Sequence, residues 1–305
     1  MLSVLDRVSF DRLWQPELVV ITLLLAGFYL AATSPAAARR RGDDPYPAVQ
    51  RGLFVAGLLV LYAGVGSPLD VLADHYLFSA HMLQHMLITM AAAPLLLAGT
   101  PAGLIRPWVR PPWIAAGLRT MTRPVVALLV FNAVFSGSHA PAIYDLTLRS
   151  APVHFMEHAV FLVTALLMWW PILSPLPEFP RLSPPGQLLY LFVDGIAMTP
   201  VFALVTFSGR VLYAPYDHSP TVLGMSALQD QQLGGVLMKV AAAVAYGAMF
   251  VVAFYRWAAS ERSSAGQIDP IVGGGPLSRG PKVVPSYIRP LPPATAPGQL
   301  REPPS

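Results

Sequence analysis

Two segments of the chain place histidines four residues apart, His81-Met-Leu-Gln-His85 and His154-Phe-Met-Glu-His158. In a helix that spacing puts both imidazoles of a pair on one face with Cβ atoms about 6 Å apart, close enough to hold a single metal ion. Glu157, three residues after His154, shares that pair's face, and His139 adds a fifth imidazole just before an Ala-Pro step. Asp230 opens the stretch Asp-Gln-Gln-Leu-Gly-Gly. At a helix N-terminus it either caps the helix, where the dipole favours a carboxylate, or joins the histidines as a further oxygen donor. The chemistry open to these residues is ligation. With no cysteine among 305 residues, disulfides, iron–sulfur clusters, thiolate zinc sites and thiol redox catalysis are excluded; His, Met, Asp and Glu are the strong ligands that remain. A metal ion held by both pairs is one reading. The other is a b-type haem held axially by one histidine of each pair, which leaves the second member of each pair without a task. Met82, Met86 and Met90 recur every four residues beside the first pair, either filling gaps between helices or forming a thioether ladder suited to Cu(I).

Positioning these residues falls to helices in a membrane. The chain is 54% hydrophobic and 12% charged, with mean hydropathy +0.54, about half the charge of a soluble domain. Spanning a hydrocarbon core of about 30 Å takes roughly 20 apolar residues in helix. Runs free of Asp, Glu, Lys and Arg lie between Glu17 and Arg39, Arg51 and Asp70, Asp74 and Arg106, Arg123 and Asp145, and Glu157 and Glu178. Two more lie between Arg181 and Arg210, broken by Asp194, and between Asp230 and Arg256, broken by Lys239. None alternates with period two, so a barrel is excluded and an all-α, polytopic, seven-helix bundle over residues 1–258 is predicted.

Orientation follows from charge. If the N-terminus is outside, fifteen of the twenty basic residues are cytoplasmic and four are not, the remaining one being the embedded Lys239. The positive-inside rule thus predicts N-terminus out and C-terminus in. All seven histidines, including His75 and His218 in loops, then fall on the extracytoplasmic side. The first apolar run is preceded by Asp6, Asp11 and Glu17 and followed by the basic cluster, the reverse of a signal peptide. Residues 259–305 are rich in Pro and Gly and are expected to form a disordered cytoplasmic tail. No P-loop, dinucleotide fingerprint or nucleophile elbow is present, so a non-enzymatic role is expected, and the charge pattern is that of membrane orientation rather than nucleic-acid binding.

Two charges sit inside the sixth and seventh runs. Asp194 and Lys239 each cost about 2.5–3.5 kcal/mol at mid-span, so both are expected to face the bundle interior, either paired with each other, satisfied singly, or lining an ion path. The glycines Gly234 and Gly235 are expected to let a neighbouring helix approach closely.

The runs FSAHMLQHMLITMAAAPLLLAGTP (78–101), SHAPAIYDLTLRSAPVHFMEHAVFLVTALLMWWPI (138–172) and DQQLGGVLMK (230–239) resemble those of the polytopic CtaG-type cytochrome c oxidase assembly factors associated with caa-type oxidases. The resemblance spans roughly residues 15–258. It implies a seven-span plasma-membrane protein that matures the oxidase by handling copper outside the cytoplasm, with oxidase subunits and copper donors as partners. The family's motif positions fall on His81, His85, His139, His154 and His158, with Glu157 and Asp230 beside them. Where similar members carry an aromatic residue, this chain has Lys239.

Overall fold

The computed structural model describes residues 8–217 and 224–265, with side chains to residue 262. Every regular element among the described residues is helical, and proline starts many of them. Its fixed φ suits the first helical turn, and its missing N–H is not needed there. In order, α1 (Phe10–Trp14), α2 (Pro16–Ala32) and α3 (Pro35–Arg41) lead to α4 (Ala48–Val65) and α5 (Pro68–His75). The third apolar run becomes α6 (Phe78–Met86), a π-helical segment (Leu87–Ala92) and α7 (Ala93–Gly99). That wider turn sits just ahead of Pro94, whose ring crowds the preceding turn and has no N–H for an ordinary α-helical bond.

The chain continues through α8 (Ala102–Val109), α9 (Pro112–Met121), α10 (Pro124–Ser138), α11 (Pro141–Arg149) and α12 (Ala151–Leu173). It then forms α13 (Pro184–Ala197), α14 (Thr199–Phe207), α15 (Ala214–Asp217) and α16 (Ala227–Ala265). His218 and the residues beyond Ala265, which hold most of the tail expected from 259 onward, lie outside the described residues.

Among the described residues, six helical stretches are long and apolar enough to cross a membrane, and a seventh appears if α9 and α10, bent by 74° at their junction, count as one span. The fourth apolar run is where this differs from seven unbroken spans. Pro124 and Pro141 both restart helices, which leaves α10 with 15 residues, about 22 Å at 1.5 Å per residue. A run defined by missing charges passes over prolines, and they are what cut it.

The centre of the bundle is α12, which packs on α7, α10, α11 and the π-helical segment. Trp169, fully buried, donates its indole N–H to the Thr89 carbonyl at 2.9 Å and so ties α12 to the π-helical turn. Close approaches at Gly57 and Gly234 require glycine. A Cβ on Gly57 of α4 would lie 2.9 Å from the Leu96 backbone nitrogen of α7, and one on Gly234 of α16 would lie 2.5 Å from the Phe78 ring of α6. Large apolar side chains such as Leu23, Phe28, Leu129 and Phe192 face outward, as expected where lipid is the solvent.

Asp194 does face the interior and is fully buried. Its carboxylate accepts from Asn132 Nδ2 at 2.5 Å and from the Tyr246 hydroxyl. Lys239 does not reach it. It is exposed on the outer surface of α16, donates to Thr199 Oγ1 at 3.1 Å and lies 5.6 Å from the Phe202 ring centroid.

Candidate metal centre

The first histidine pair owes its position to a cap supplied by another helix. Leu77 precedes α6 and has no side-chain acceptor to offer, so the exposed N–H groups of the first turn need one from elsewhere. Asp230 of α16 provides it, accepting from Phe78 N–H at 2.7 Å, from Ser79 N–H at 3.3 Å and from the Ser79 hydroxyl. At the other end of the pair the π-helical turn begins, and the His85 carbonyl accepts from the Thr89 hydroxyl at 2.7 Å. Gln84, between the two histidines in sequence, donates to the Gly64 carbonyl at 3.0 Å and to Asp70 at 2.7 Å, anchoring α6 to α4 and α5.

Held in this way, α6 turns His81 and His85 toward His154, Glu157 and His158 of α12. Ring centroids are 4.3 Å apart within each pair, and across the helices they are 5.2 Å for His81 and His154 and 5.5 Å for His85 and His158. Glu157 Oε2 lies 4.0 Å from His81 Nε2 and 3.8 Å from His85 Nε2. His81, His85 and Glu157 are buried, while His154 and His158 are partly so. Two groups bring one ligand atom per residue within 4.8 Å of the others: His81 with His154 and His158, and His81 with His85 and Glu157.

His139 and Asp230 stand beside these groups with other engagements. The His139 Nδ1–H donates to the Phe135 carbonyl at 2.6 Å, its Nε2 lies 3.3 Å from the Met82 sulfur, and its ring centroid is 6.1 Å from that of His85. Asp230 spends both oxygens on the start of α6 rather than on capping its own helix. Met82, Met86 and Met90 are buried in the apolar core.

Several residues that complete the surroundings carried no sequence signal of their own. Tyr144 of α11 and Tyr216 of α15 are buried, with hydroxyl oxygens 3.1 Å apart, and Tyr216 donates to the Ala73 carbonyl at 2.6 Å while facing His81 Nδ1 at 3.5 Å. Burial pushes both phenols above their ordinary range, so they stay protonated. Asp74 of α5 places Oδ1 3.4 Å from His154 Nδ1. Burial pushes Asp74 up to about 6, and burial with the neighbouring Asp74 charge pushes Asp70 up to about 6 as well. The i, i+4 spacing of Asp70 and Asp74 was the one legible hint, two carboxylates on a single helical face next to the first pair.

A nitrogen-rich, thiolate-free set of this kind fits a borderline or soft cation such as copper or zinc. The fit has a structural basis. His81 Nε2, both ring nitrogens of His85, His154 Nε2, His158 Nε2 and both Glu157 oxygens are shielded from solvent and have no hydrogen-bond partner among the described residues.

The family model described as cytochrome c oxidase caa3 assembly factor (Caa3_CtaG) matches residues 27–260. Two curated proteins are similar to the chain: uncharacterized protein Mb0105 of Mycobacterium bovis and uncharacterized protein MT0111 of Mycobacterium tuberculosis. Each is 28% identical over 267 residues, an overlap of 80% of this chain and 40% of the relative. The chain therefore spans about two fifths of the length of these relatives. No solved structure matches it.

Proposed function

The chain belongs to the cytochrome c oxidase caa3 assembly factor family (Caa3_CtaG), and we propose that it serves oxidase assembly by holding a copper ion between α6 and α12 and releasing it to an oxidase subunit. The observation that carries this is the set of orphaned polar atoms on His81, His85, His154, His158 and Glu157. Leaving one buried polar group unsatisfied costs about 1–3 kcal/mol, so a cluster of them needs a shared partner. A cation supplies that partner for one nitrogen of each histidine it binds and, in the group that includes Glu157, for a carboxylate oxygen as well. Ligand chemistry alone admits zinc, and the oxidase, itself a copper enzyme, selects copper.

Copper is cargo here, so the chain's residues bind, orient and release rather than turn over a substrate. His81, His85, His154, His158 and Glu157 would hold the ion. His139, facing the Met82 sulfur, and Asp230, capping α6, support the helix that presents them. In this reading the chain is a seven-span plasma-membrane protein with its N-terminus and histidines outside and its C-terminus inside, an orientation that the excess of basic residues on one side supports. Copper donors and oxidase subunits would then meet the chain on that outer side. Haem fits less well, because the His81 ring packs against those of both His85 and His154, with centroids 4.3 and 5.2 Å away, closer than two axial ligands on opposite faces of a macrocycle stand.

The test is copper content of the detergent-purified protein after loading and desalting. Wild type is expected to retain copper, and the variant with His81→Ala, His85→Ala, His154→Ala and His158→Ala to retain none. Equal copper in both overturns the proposal. A Soret band in the same samples would favour haem.

A further inference from the structure

A groove of about 490 Å³ opens on the flank of the bundle, lined on its apolar side by residues that include Leu61 of α4 and Leu162 of α12. Its polar lining includes Asp70 and Asp74 of α5 and His154 and His158 of α12. Two carboxylates and two imidazoles beside an apolar wall are costly unless they serve a ligand, and a cation is the ligand that suits all four. Beyond the groove lies His81, fully buried, with its Nε2 unsatisfied and close to the donor atoms of His154 and His158.

The two ligand groups also differ in access. His154 and His158 border the groove, whereas His85 and Glu157 do not and are buried at 1% and 7% exposure. His81 belongs to both groups. Its Nδ1 faces the Tyr216 hydroxyl, so one nitrogen, Nε2, is left for a metal. One lone pair serves one ion, which makes the two groups alternatives for a single ion rather than a two-ion centre.

Resting on the copper-holding role proposed above, we propose that the ion enters sideways through this groove and is captured by His154, His158 and His81. It then moves inward to His81, His85 and Glu157, and His81 stays bound throughout. Asp74 Oδ1, 3.4 Å from His154 Nδ1 and without a hydrogen-bond partner of its own, stands where a carboxylate behind a metal-binding histidine does and would draw in that ring's Nδ1–H when Nε2 meets the incoming ion. The Asp70 and Asp74 carboxylates raise the local cation concentration at the mouth. The inner set holds the ion away from solvent until a recipient docks.

The experiment mixes metal-free protein in detergent with copper(II) and follows uptake by quenching of intrinsic fluorescence, with final copper content measured separately. Ala159→Trp and Leu61→Trp fill the groove from two different helices without altering a ligand. Both are expected to slow uptake at least tenfold and to reach the wild-type copper content. His154→Ala with His158→Ala is expected to load slowly into the inner set, and His85→Ala to load quickly but lose copper to a chelator at least tenfold faster than wild type. Wild-type uptake rates in both groove variants overturn the entry route, and a wild-type rate in the His154/His158 variant overturns the inward transfer. Either result leaves the copper-holding role standing. Absence of copper from wild type removes that role and this proposal together.

Discussion

His85 Nε2 and Glu157 Oε2 face each other at 3.8 Å across α6 and α12, and His81 Nε2 stands 4.0 Å from the same oxygen. These separations are well beyond the 2.7–3.2 Å usual for a nitrogen–oxygen hydrogen bond, and none of the three atoms has a hydrogen-bond partner among the described residues. Two ligands bound to one ion at about 2.0–2.2 Å lie roughly 3.3–4.2 Å apart, depending on the angle between them. The spacing suits an intervening cation.

Glu157→Gln keeps the shape of that side chain and removes its charge. Its expected effect is a 10- to 100-fold weaker copper affinity, measured by competition with a chelator of known strength, with the thermal unfolding midpoint nearly unchanged. An unchanged affinity would take Glu157 out of the ligand set.

Asp230 separates a structural role from a ligating one. Asp230→Ala removes the acceptor for two backbone N–H groups and one hydroxyl at the start of α6, and losing a helix cap costs about 0.5–2 kcal/mol. The variant should unfold at a lower temperature and still carry wild-type copper at low temperature. Loss of copper with an unaltered unfolding midpoint would mean that the carboxylate is a ligand.

Stability should depend on pH through Asp70. Its pKa is raised to about 6 by burial and by Asp74, above the ordinary value of about 3.9 in an unfolded chain. The contribution of protonated Asp70 is therefore complete below about pH 4 and is lost as pH rises through 6. Relative to wild type, the Asp70→Asn variant should therefore gain in unfolding midpoint as pH rises from 4 to 7. Parallel pH curves for the two proteins would contradict it.

The two charges in the last spans should act independently. Asp194→Ala removes one acceptor each from Asn132 Nδ2, which keeps the Leu128 carbonyl, and from the Tyr246 hydroxyl, which keeps the Met198 sulfur, at about 0.5–1.5 kcal/mol per lost hydrogen bond, whereas Lys239→Leu removes an exposed charge that contacts Thr199. The first is expected to lower the unfolding midpoint and the second to leave it level or raise it. The double variant should be additive within about 0.5 kcal/mol, as for separated sites. A coupling well above that would mean the pair interacts.

The sequence by itself determined what depends on local spacing and on solvent preference. Charge-free runs located the apolar helices because a bilayer penalises charge, and i, i+4 spacing placed His81 with His85 and His154 with His158 because helix geometry fixes which residues share a face. The family was legible in the same way, from motifs that lie along single helices. Tertiary structure decided which faces meet. Asp230 caps α6 from 152 residues away, the Met82 sulfur takes one side of His139, and Lys239 turns outward while Asp194 turns in. Asp70 and Asp74 of α5 and Tyr216 of α15 come to the histidines from two separate segments. No local rule links such residues, because their proximity comes from the packing of whole helices, in which glycines such as Gly57 and Gly234 set how closely the backbones approach.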